Sequence, residues 1–321
     1  MKTIKKERET VLITGGAGFI GSNLAARLLE MGFRVIVVDN FQTGKLENVK
    51  NFEDRGEFIL VCGDVNNRDE MMAVFMRHKI DYVYHYAACV GVKRTLDNPL
   101  LVLSDMTGIK NVVELSAMAK VKRLFYSSSS EVYGESISFP QGETHTPLNS
   151  RLPYAVVKNL GEVMIKTYQQ EYGLDYTIFR FFNTYGPKQS ENFVISKFIF
   201  QALKNDKITM YGNGEQTRTF LYIDDNVEAT SKAIFEAKSI NQTINVGNDK
   251  ETTIKELAEA VVSVVKPAVK VVSVPPLAEG DMPRRLPDIT QMKEILGVEP
   301  KVDLRQGIER TVEYFRGKLK T

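Results

Sequence analysis

A tyrosine and a lysine four positions apart, with a run of serines shortly before them, are the residues in this chain best suited to proton transfer. Tyr154 and Lys158 lie in a segment with helical periodicity, so their side chains share one helix face. A neighbouring ammonium favours a phenolate, and we expect the pKa of Tyr154 to fall from about 10 toward neutrality. The serine run 127–130, followed by Glu131, comes directly after a strand-like segment. Because a tyrosine and lysine at this spacing occur by chance in many helices, the serine run is what favours a tyrosine base assisted by a hydroxyl.

A glycine-rich turn follows the first apolar run of the chain. Gly15, Gly18 and Gly21 come directly after Val11-Leu12-Ile13, where a strand would pass into a helix. Such a turn lets the backbone approach a pyrophosphate, which then lies on the N–H groups at the helix N-terminus. The spacing is G-x-x-G-x-x-G rather than G-x-G-x-x-G, and a tight strand-to-helix turn alone is the alternative.

An acidic residue ends the second apolar run, 18 residues after Gly21. Asp39 stands where a carboxylate accepts hydrogen bonds from an adenosine ribose, and a carboxylate there repels a 2′-phosphate. The sequence therefore predicts NAD rather than NADP, and the positive nicotinamide would further favour a Tyr154 phenolate. The alternative is that Asp39 only caps the next loop.

Strand-like and helix-like segments alternate through the first half of the chain. The predicted strands are 11–14, 34–39, 57–62, 82–85, 123–127 and 177–180, and the predicted helices are 23–31, 68–77, 99–119 and 154–172. This alternation predicts an α/β fold with a doubly wound parallel sheet of the Rossmann type.

After about residue 181 the sequence changes character, with loops at 183–187 and 211–214, a predicted helix at 193–203 and a proline-interrupted stretch at 275–288. We expect an NAD-binding Rossmann domain in residues 1–180, to which 219–248 return. Residues 181–218 and 249–321 would form a smaller lobe that binds the substrate over the carboxyl ends of the strands.

Composition narrows the class of protein. The 321 residues are 43% hydrophobic and carry a net charge of +2 with acids and bases interspersed, so nucleic acid is an unexpected partner. The two cysteines imply no disulfide framework, and one histidine near Cys89 makes no metal site. Residues 1–10 are charged and do not resemble a secretory signal, and charges and a proline interrupt the apolar stretch 257–274. We expect a cytoplasmic protein with no membrane association.

Taken as a set, these motifs resemble the extended short-chain dehydrogenases/reductases of the NAD-dependent epimerase/dehydratase family, which act on nucleotide sugars. The similarity covers essentially the whole chain. It includes the glycine turn, Asp39, Gly63-Asp64-Val65, His85-Tyr86-Ala87-Ala88, Glu131-Val132-Tyr133-Gly134, the Tyr154/Lys158 pair, Arg180-Phe181-Phe182-Asn183-Thr184-Tyr185-Gly186-Pro187 and Arg218-Thr219-Phe220.

The resemblance assigns roles residue by residue. It implies that Ser129, Tyr154, Lys158 and Glu131 are catalytic, and that Lys158 also holds the nicotinamide ribose. Substrate contacts are implied at Ser129, at Arg218 for the pyrophosphate, and at Asn183 and Arg284 for the nucleoside diphosphate. Cofactor contacts are implied at Gly15, Gly18, Phe19, Ile20, Gly21, Asp39, Asn40, Asp64, Val65, Ala87 and Lys158. The shared first step is removal of the sugar 4-hydroxyl proton by Tyr154 while hydride passes to NAD, which gives a 4-keto sugar.

Glu131 is the residue that discriminates between the reactions that the 4-keto sugar can undergo. In the family, glutamate here is typical of UDP-glucuronate decarboxylases and 4,6-dehydratases, whereas 4-epimerases usually carry a small or hydroxyl residue. Ser130 in place of aspartate disfavours the dTDP-glucose dehydratases, and Pro287-Asp288-Ile289 and 296–302 are similar to the decarboxylase pattern. A UDP-glucuronate decarboxylase is therefore the first hypothesis. The alternatives are a 4-epimerase of UDP-glucose, a UDP-uronate or a UDP-hexosamine, then an NDP-sugar 4,6-dehydratase, and finally a non-catalytic sensor that keeps the dinucleotide fold.

Three features depart from the decarboxylase pattern. Ala155-Val156-Val157 replaces more polar residues between Tyr154 and Lys158, the loop at 188–193 is short, and Asp105 replaces an asparagine common in the family. The first two bear on the identity of the substrate, and the third on the proton network.

The predicted helices 99–119 and 154–172 carry apolar residues on more than one face. Burial under the sheet is the simple explanation. The family resemblance implies that these helices also pair across a two-fold axis, so we expect a homodimer.

Overall fold

Seven parallel strands form the centre of the molecule. The computed structural model describes residues 8–52, 55, 57–90, 98–135, 138–205, 207–266, 268–275 and 282–320. The main sheet has the order β3-β2-β1-β4-β5-β6-β11. Its strands are β1 (Thr10–Thr14), β2 (Arg34–Asp39), β3 (Phe58–Cys62), β4 (Tyr82–His85), β5 (Arg123–Ser129), β6 (Tyr176–Phe181) and β11 (Gln242–Val246). The doubly wound Rossmann fold predicted from the sequence is confirmed.

Six short strands pair outside this sheet: β7 (Thr184–Tyr185), β8 (Lys207–Tyr211), β9 (Thr217–Thr219), β10 (Leu221–Tyr222), β12 (Glu251–Thr253) and β13 (Lys270–Val274). β7 pairs with β10 and β8 with β13, both in parallel, whereas β9 and β12 are antiparallel.

The helices in the described part of the chain are α1 (Phe19–Glu30), α2 (Arg68–Arg77), α3 (Pro99–Met118), α4 (Pro153–Tyr172), α5 (Val194–Asn205), α6 (Ile223–Lys232), α7 (Ile254–Val265), α8 (Thr290–Leu296) and α9 (Leu304–Lys320). Among them, none is both long enough and apolar enough to cross a bilayer. The helices predicted in the first half are all present. α1 begins four residues earlier than expected, because Gly18 of the glycine turn is itself the N-cap residue.

Helices cover both faces of the sheet. α1, α6 and α8 pack on one face, where Val11 and Ile13 of β1 are buried, and α2, α3 and α4 pack on the other, where Leu12 is buried. A parallel strand covered on both faces has no polar side, which is why the strands appear in the sequence as continuous apolar runs.

A third apolar cluster lies outside the two sheet faces. It is formed mainly by α5, α7, α9 and β8, with buried residues such as Phe198, Leu257 and Ile308. Phe19 and Ile20, in the first turn of α1, pack against this cluster and so connect it to the glycine turn. We refer to the part of the chain around this cluster as the C-terminal lobe.

A buried ion pair joins α4 to the sheet. Arg180 of β6 donates to both carboxylate oxygens of Glu162 on α4, at 2.9 and 2.7 Å, and their side chains are 2% and 1% exposed. The Ser128 hydroxyl donates to the same carboxylate at 2.5 Å, and Arg180 also donates to the Tyr133 hydroxyl at 2.9 Å. Two buried charges are tolerated here because each is paired and hydrogen-bonded.

We expect Glu162→Gln to lower the free energy of unfolding by about 3 kcal/mol, because it leaves the Arg180 guanidinium buried without a counter-charge. Urea unfolding followed by circular dichroism measures this. Glu171→Gln, at an exposed position on the same helix, should change stability by less than about 0.5 kcal/mol. Equal stabilities of the two variants would show that the pair is not needed.

Candidate active site

The glycine turn is built so that its backbone packs closely on itself and on β4. Gly15 has a φ of +69°, and a Cβ there would lie 2.7 Å from the Ala87 nitrogen. At Gly21 a Cβ would lie 2.5 Å from the Gly15 carbonyl oxygen. Gly18 caps α1 without a side chain, and no acidic residue occupies the first helical turn. The N–H groups at this helix end therefore face a space that suits a pyrophosphate.

Asp39 holds the glycine turn from the end of β2. Its carboxylate accepts hydrogen bonds from the backbone nitrogens of Ala17, at 2.9 Å, and Phe41, at 2.8 Å. Burial raises the pKa of this carboxyl, and the two N–H groups oppose that effect. Asp39 thus has a structural part in shaping the turn, and its predicted contact with a ribose stays a prediction.

Several of the predicted cofactor residues, among them Asp64, which the family resemblance places at the adenine, follow the carboxyl ends of β2 and β3. Asn40 donates to the Asp64 carboxylate at 3.1 Å, and the same carboxylate accepts from the Asn66 nitrogen at 2.8 Å. The Val65 carbonyl accepts from Asn111 of α3 at 2.9 Å. Ala87 follows β4, and its nitrogen donates to the Thr14 hydroxyl at 3.3 Å. Asn40, Asp64, Val65 and Ala87 therefore lie at the carboxyl ends of the strands, as predicted for cofactor residues.

The predicted proton-transfer residues meet where β5 ends. Ser129 is the last residue of β5, and its hydroxyl lies near the phenol of Tyr154, in the first turn of α4, and lowers the pKa of that phenol. The Ser129 oxygen also accepts from the Glu131 nitrogen at 3.2 Å. A buried serine beside a partly buried tyrosine can share a proton taken from an alcohol bound between them.

Lys158 lies one turn further along α4 and is almost fully buried. Its ammonium donates to the Ser127 carbonyl at 2.7 Å and lies 5.9 Å from the centre of the Tyr154 ring. Burial lowers the pKa of Lys158 to about 8, and the charge of Asp105 opposes this. Asp105, the residue that departs from the family asparagine, also accepts from the Cys89 nitrogen at 2.7 Å.

The expected lowering of the Tyr154 pKa is not found in the chain by itself. Burial raises the pKa of Tyr154, and the charges of Glu131 and Asp105 act in the same direction, while the Ser129 hydrogen bond lowers it. For the chain without its coenzyme, the expectation from the lysine charge is wrong because it omitted desolvation, which is the largest cause of the shift.

One functional side chain was missed in the sequence analysis. Arg285, only 3% exposed, donates to the Glu131 carboxylate at 2.6 Å and to the Ser130 hydroxyl at 3.1 Å. These two residues come directly after Ser129 in the chain. The sequence shows two adjacent arginines here, Arg284 and Arg285, and the family resemblance pointed to Arg284 as the substrate contact.

The other predicted substrate residues gather around β9. The Asn183 amide donates to the Thr219 carbonyl at 3.1 Å, and Arg218 lies within β9. Arg284 forms a double hydrogen bond with Glu251 of β12, at 2.8 and 2.6 Å, and stacks on Phe139. The structure thus brings Asn183, Arg218 and Arg284 to one region, and their contacts with a nucleoside diphosphate stay predictions.

Comparison with known proteins is consistent with this geometry. The family model described as GDP-mannose 4,6 dehydratase matches residues 12–311. The chain belongs to this family. The match spans both the Rossmann sheet and the C-terminal lobe, so the family assignment covers every residue placed in the site.

Relatives within the family carry out more than one reaction. The chain is 35% identical to UDP-glucuronic acid decarboxylase 1 of Danio rerio, over 98% of this chain and 74% of that protein. It is 36% identical to a UDP-N-acetyl-alpha-D-glucosaminuronate decarboxylase of Bacillus cytotoxicus, over 96% of this chain and 98% of that protein. The UDP-glucose 4-epimerase of Thermus thermophilus, solved in complex with NAD, is 32% identical and superposes with a TM-score of 0.88 over 96% of this chain and 99% of that one.

The lowered pKa of Lys158 makes stability depend on pH. The pKa of Lys158 is about 8 in the folded chain, against 10.5 for an exposed lysine, so the unfolded chain binds more protons between these pH values. The free energy of unfolding should therefore rise from pH 8 to pH 10 relative to that of Lys158→Met, by about 2 kcal/mol. Urea unfolding of both proteins across this range measures the difference. A difference that is constant with pH would show that Lys158 titrates as an exposed lysine does.

Proposed function

We propose that this chain is an NAD-dependent enzyme that oxidises C4 of a UDP-linked uronate and decarboxylates the resulting 4-keto sugar, with UDP-glucuronate as the first candidate substrate. The observation that carries the proposal is the contact of buried Arg285 with Ser130 and Glu131, immediately beside Ser129 and Tyr154. A uronate brings a carboxylate to this position, and a buried guanidinium is suited to receive one.

The glycine turn fits the coenzyme. It offers a helix N-terminus without a capping side chain, a close backbone approach at Gly15 and Gly21, and the acidic pair of Asp39 and Asp64 at the adenosine end. The NAD complex of the Thermus thermophilus epimerase, which superposes on nearly the whole chain, supports this choice of dinucleotide. When bound, NAD supplies the hydride acceptor for C4 of the sugar and later the hydride donor.

The chain's own residues handle the proton of the first step. The Tyr154 phenol removes the proton of the 4-hydroxyl, and the Ser129 hydroxyl, which lies near that phenol, is proposed to bridge the two oxygens. Because burial disfavours the phenolate, we propose that the Lys158 ammonium, 5.9 Å from the centre of the Tyr154 ring, stabilises it. Lys158 is itself anchored to the Ser127 carbonyl, so its ammonium stays on the Tyr154 side of α4.

The second step needs no further oxidant. A C4 ketone next to C5 turns the C6 carboxylate into a β-keto acid, so the C5–C6 bond breaks, CO2 leaves, and the electron pair moves toward the C4 oxygen. A proton then adds to C5. Arg285 is placed to orient the carboxylate, and Ser130 and Glu131, the polar groups in contact with it, are placed to deliver that proton.

Incubating the purified protein with UDP-glucuronate should release CO2 and give a UDP-pentose, measured by gas release and by chromatography with mass detection. We expect Arg285→Met to lower kcat for decarboxylation about 100-fold, since it removes the cation at the reacting carboxylate. Arg284→Met, at the adjacent residue, should mainly raise KM. Epimerised uronate as the sole product, or unreacted substrate, would contradict decarboxylation.

A 4-epimerase is the second candidate, and the superposition with the Thermus thermophilus epimerase favours it. An epimerase needs the proton-transfer set of Ser129 and Tyr154 but has no use for a cation held beside C6. Interconversion of UDP-glucose and UDP-galactose by the purified chain, together with an inert response to UDP-glucuronate, would favour this candidate over the first.

We also propose a homodimer that uses α3 and α4. Leu103 and Met106 on α3 are 39% and 38% exposed, and Val156, Leu160 and Val163 on α4 are 48%, 39% and 54% exposed. Apolar residues repeated at this spacing on two neighbouring helices form a continuous surface that a second copy would bury.

The two cysteines are unpaired, which agrees with the cytoplasmic location proposed from the sequence.

Replacing two of the exposed apolar residues on α4 should separate the protomers. We expect Leu160→Glu combined with Val163→Glu to give a monomer at micromolar concentration, because two buried, unpaired carboxylates strongly oppose association. Light scattering measures the mass. Val271→Glu, at an exposed valine on β13, should leave the mass unchanged. A monomeric native protein would rule out the dimer.

A further inference from the structure

A short segment between β2 and β3 packs directly on the glycine turn. Segment 44–52 contains two short 3-10 helices, Leu46–Asn48 and Lys50–Phe52. Its Lys45 nitrogen donates to the Ala17 carbonyl at 3.0 Å, and the buried Asn48 amide donates to the same carbonyl at 2.8 Å. Ala17 lies between Gly16 and Gly18, so this segment fixes the backbone of the turn from one side while Asp39 fixes it from the other.

A lysine of the C-terminal lobe holds this segment. Lys188 follows β7, and its ammonium donates to the Asn48 carbonyl at 3.2 Å and to the Ser22 hydroxyl of α1 at 3.3 Å. The same ammonium lies 5.9 Å from the centre of the Phe52 ring. One side chain therefore contacts both the segment and the helix that follows the glycine turn.

The backbone at Lys188 indicates that the side chain is needed. Its φ is +73°, a conformation that residues with a Cβ rarely adopt and that glycine or asparagine would occupy with less strain. Burial also lowers the pKa of Lys188, as does the nearby charge of Lys318. A lysine that is both strained and desolvated is retained only where its contacts outweigh those costs.

A second lysine of the lobe reaches the same segment. Lys318 of α9 donates to the Glu47 carboxylate at 2.5 Å. Glu47 lies in the first of the two 3-10 helices, next to Asn48. Segment 44–52 is thus attached to the C-terminal lobe at two points, 130 residues apart in the chain (318 − 188).

We infer that Lys188 is a positioning residue for the coenzyme: by tying segment 44–52 and α1 to the C-terminal lobe, it keeps the glycine turn in its dinucleotide-binding conformation and slows the release of NAD. This inference rests on the proposed function, because it takes NAD as the ligand of the turn. A site held in its bound conformation before the ligand arrives loses less entropy on binding, which is the physical basis of the effect.

The test is the rate at which NAD leaves the full-length protein. NAD-loaded protein is diluted into buffer containing an enzyme that destroys free NAD, and the retained dinucleotide is extracted and quantified by chromatography over time. We expect Lys188→Met to release NAD at least about ten-fold faster than the native chain, and Lys188→Arg, which keeps the charge, to stay within about two-fold. The matched control is Lys197→Met, at a half-buried lysine that lies 4.5 Å from the Tyr211 ring in the same lobe; its release rate should equal that of the native chain.

A second test uses the exposed pair Lys318 and Glu47, in case Lys188→Met does not fold. Lys318→Glu should release NAD about three-fold faster, since it places two carboxylates together, and adding Glu47→Lys should restore the native rate. Native release rates in folded Lys188→Met, or in Lys318→Glu where Lys188→Met does not fold, would overturn the inference while leaving NAD binding intact. A native chain that binds no dinucleotide would overturn the proposed function as well.

Discussion

The buried ion pair between Arg180 and Glu162 is the interaction on which the geometry of the active site depends. Glu162 lies one helical turn after Lys158 on α4, and the Ser128 hydroxyl that donates to its carboxylate precedes Ser129. The pair therefore fixes the helix that carries the base against the strand that carries the serine. A charged pair with satisfied hydrogen bonds permits few alternative arrangements, so it sets the distance between the two proton-transfer residues more narrowly than apolar packing would.

Burial, more than charge pairing, sets the acid–base properties of the site. It raises the pKa of Tyr154 and lowers that of Lys158, and in both cases it is the largest cause. Both shifts favour the uncharged side chain, since a low-dielectric site disfavours any ion. Asp105 partly offsets this for Lys158 and adds to it for Tyr154. The charge of Asp105 therefore raises the pKa values of both side chains.

The site divides into a part that the family shares and a part that selects the reaction. Ser129, Tyr154 and Lys158 come from β5 and α4 of the Rossmann domain, and in the proposed function they serve the first step, which is common to reactions that begin at C4. Arg285 lies in the loop before α8. Its guanidinium donates to Ser130 and to Glu131, and Glu131 lies 154 residues earlier in the chain. The residue that we propose selects the reaction therefore lies on a loop, which can vary without disturbing the sheet.

Features that depend on neighbouring residues in the chain could be predicted from the sequence alone. Continuous apolar runs predicted the parallel strands, and the glycine spacing predicted the turn. The four-residue separation of Tyr154 and Lys158 predicted that they share one helix face. Periodicity could not decide which of Arg284 and Arg285 faces the site, because adjacent loop residues follow no fixed alternation. Three features are visible only in the folded chain: Arg285 contacts Glu131, desolvation dominates the pKa of Tyr154, and Lys188 holds segment 44–52. Each of these depends on contacts between segments far apart in the chain, and the burial that makes such contacts strong exists only once the core has formed.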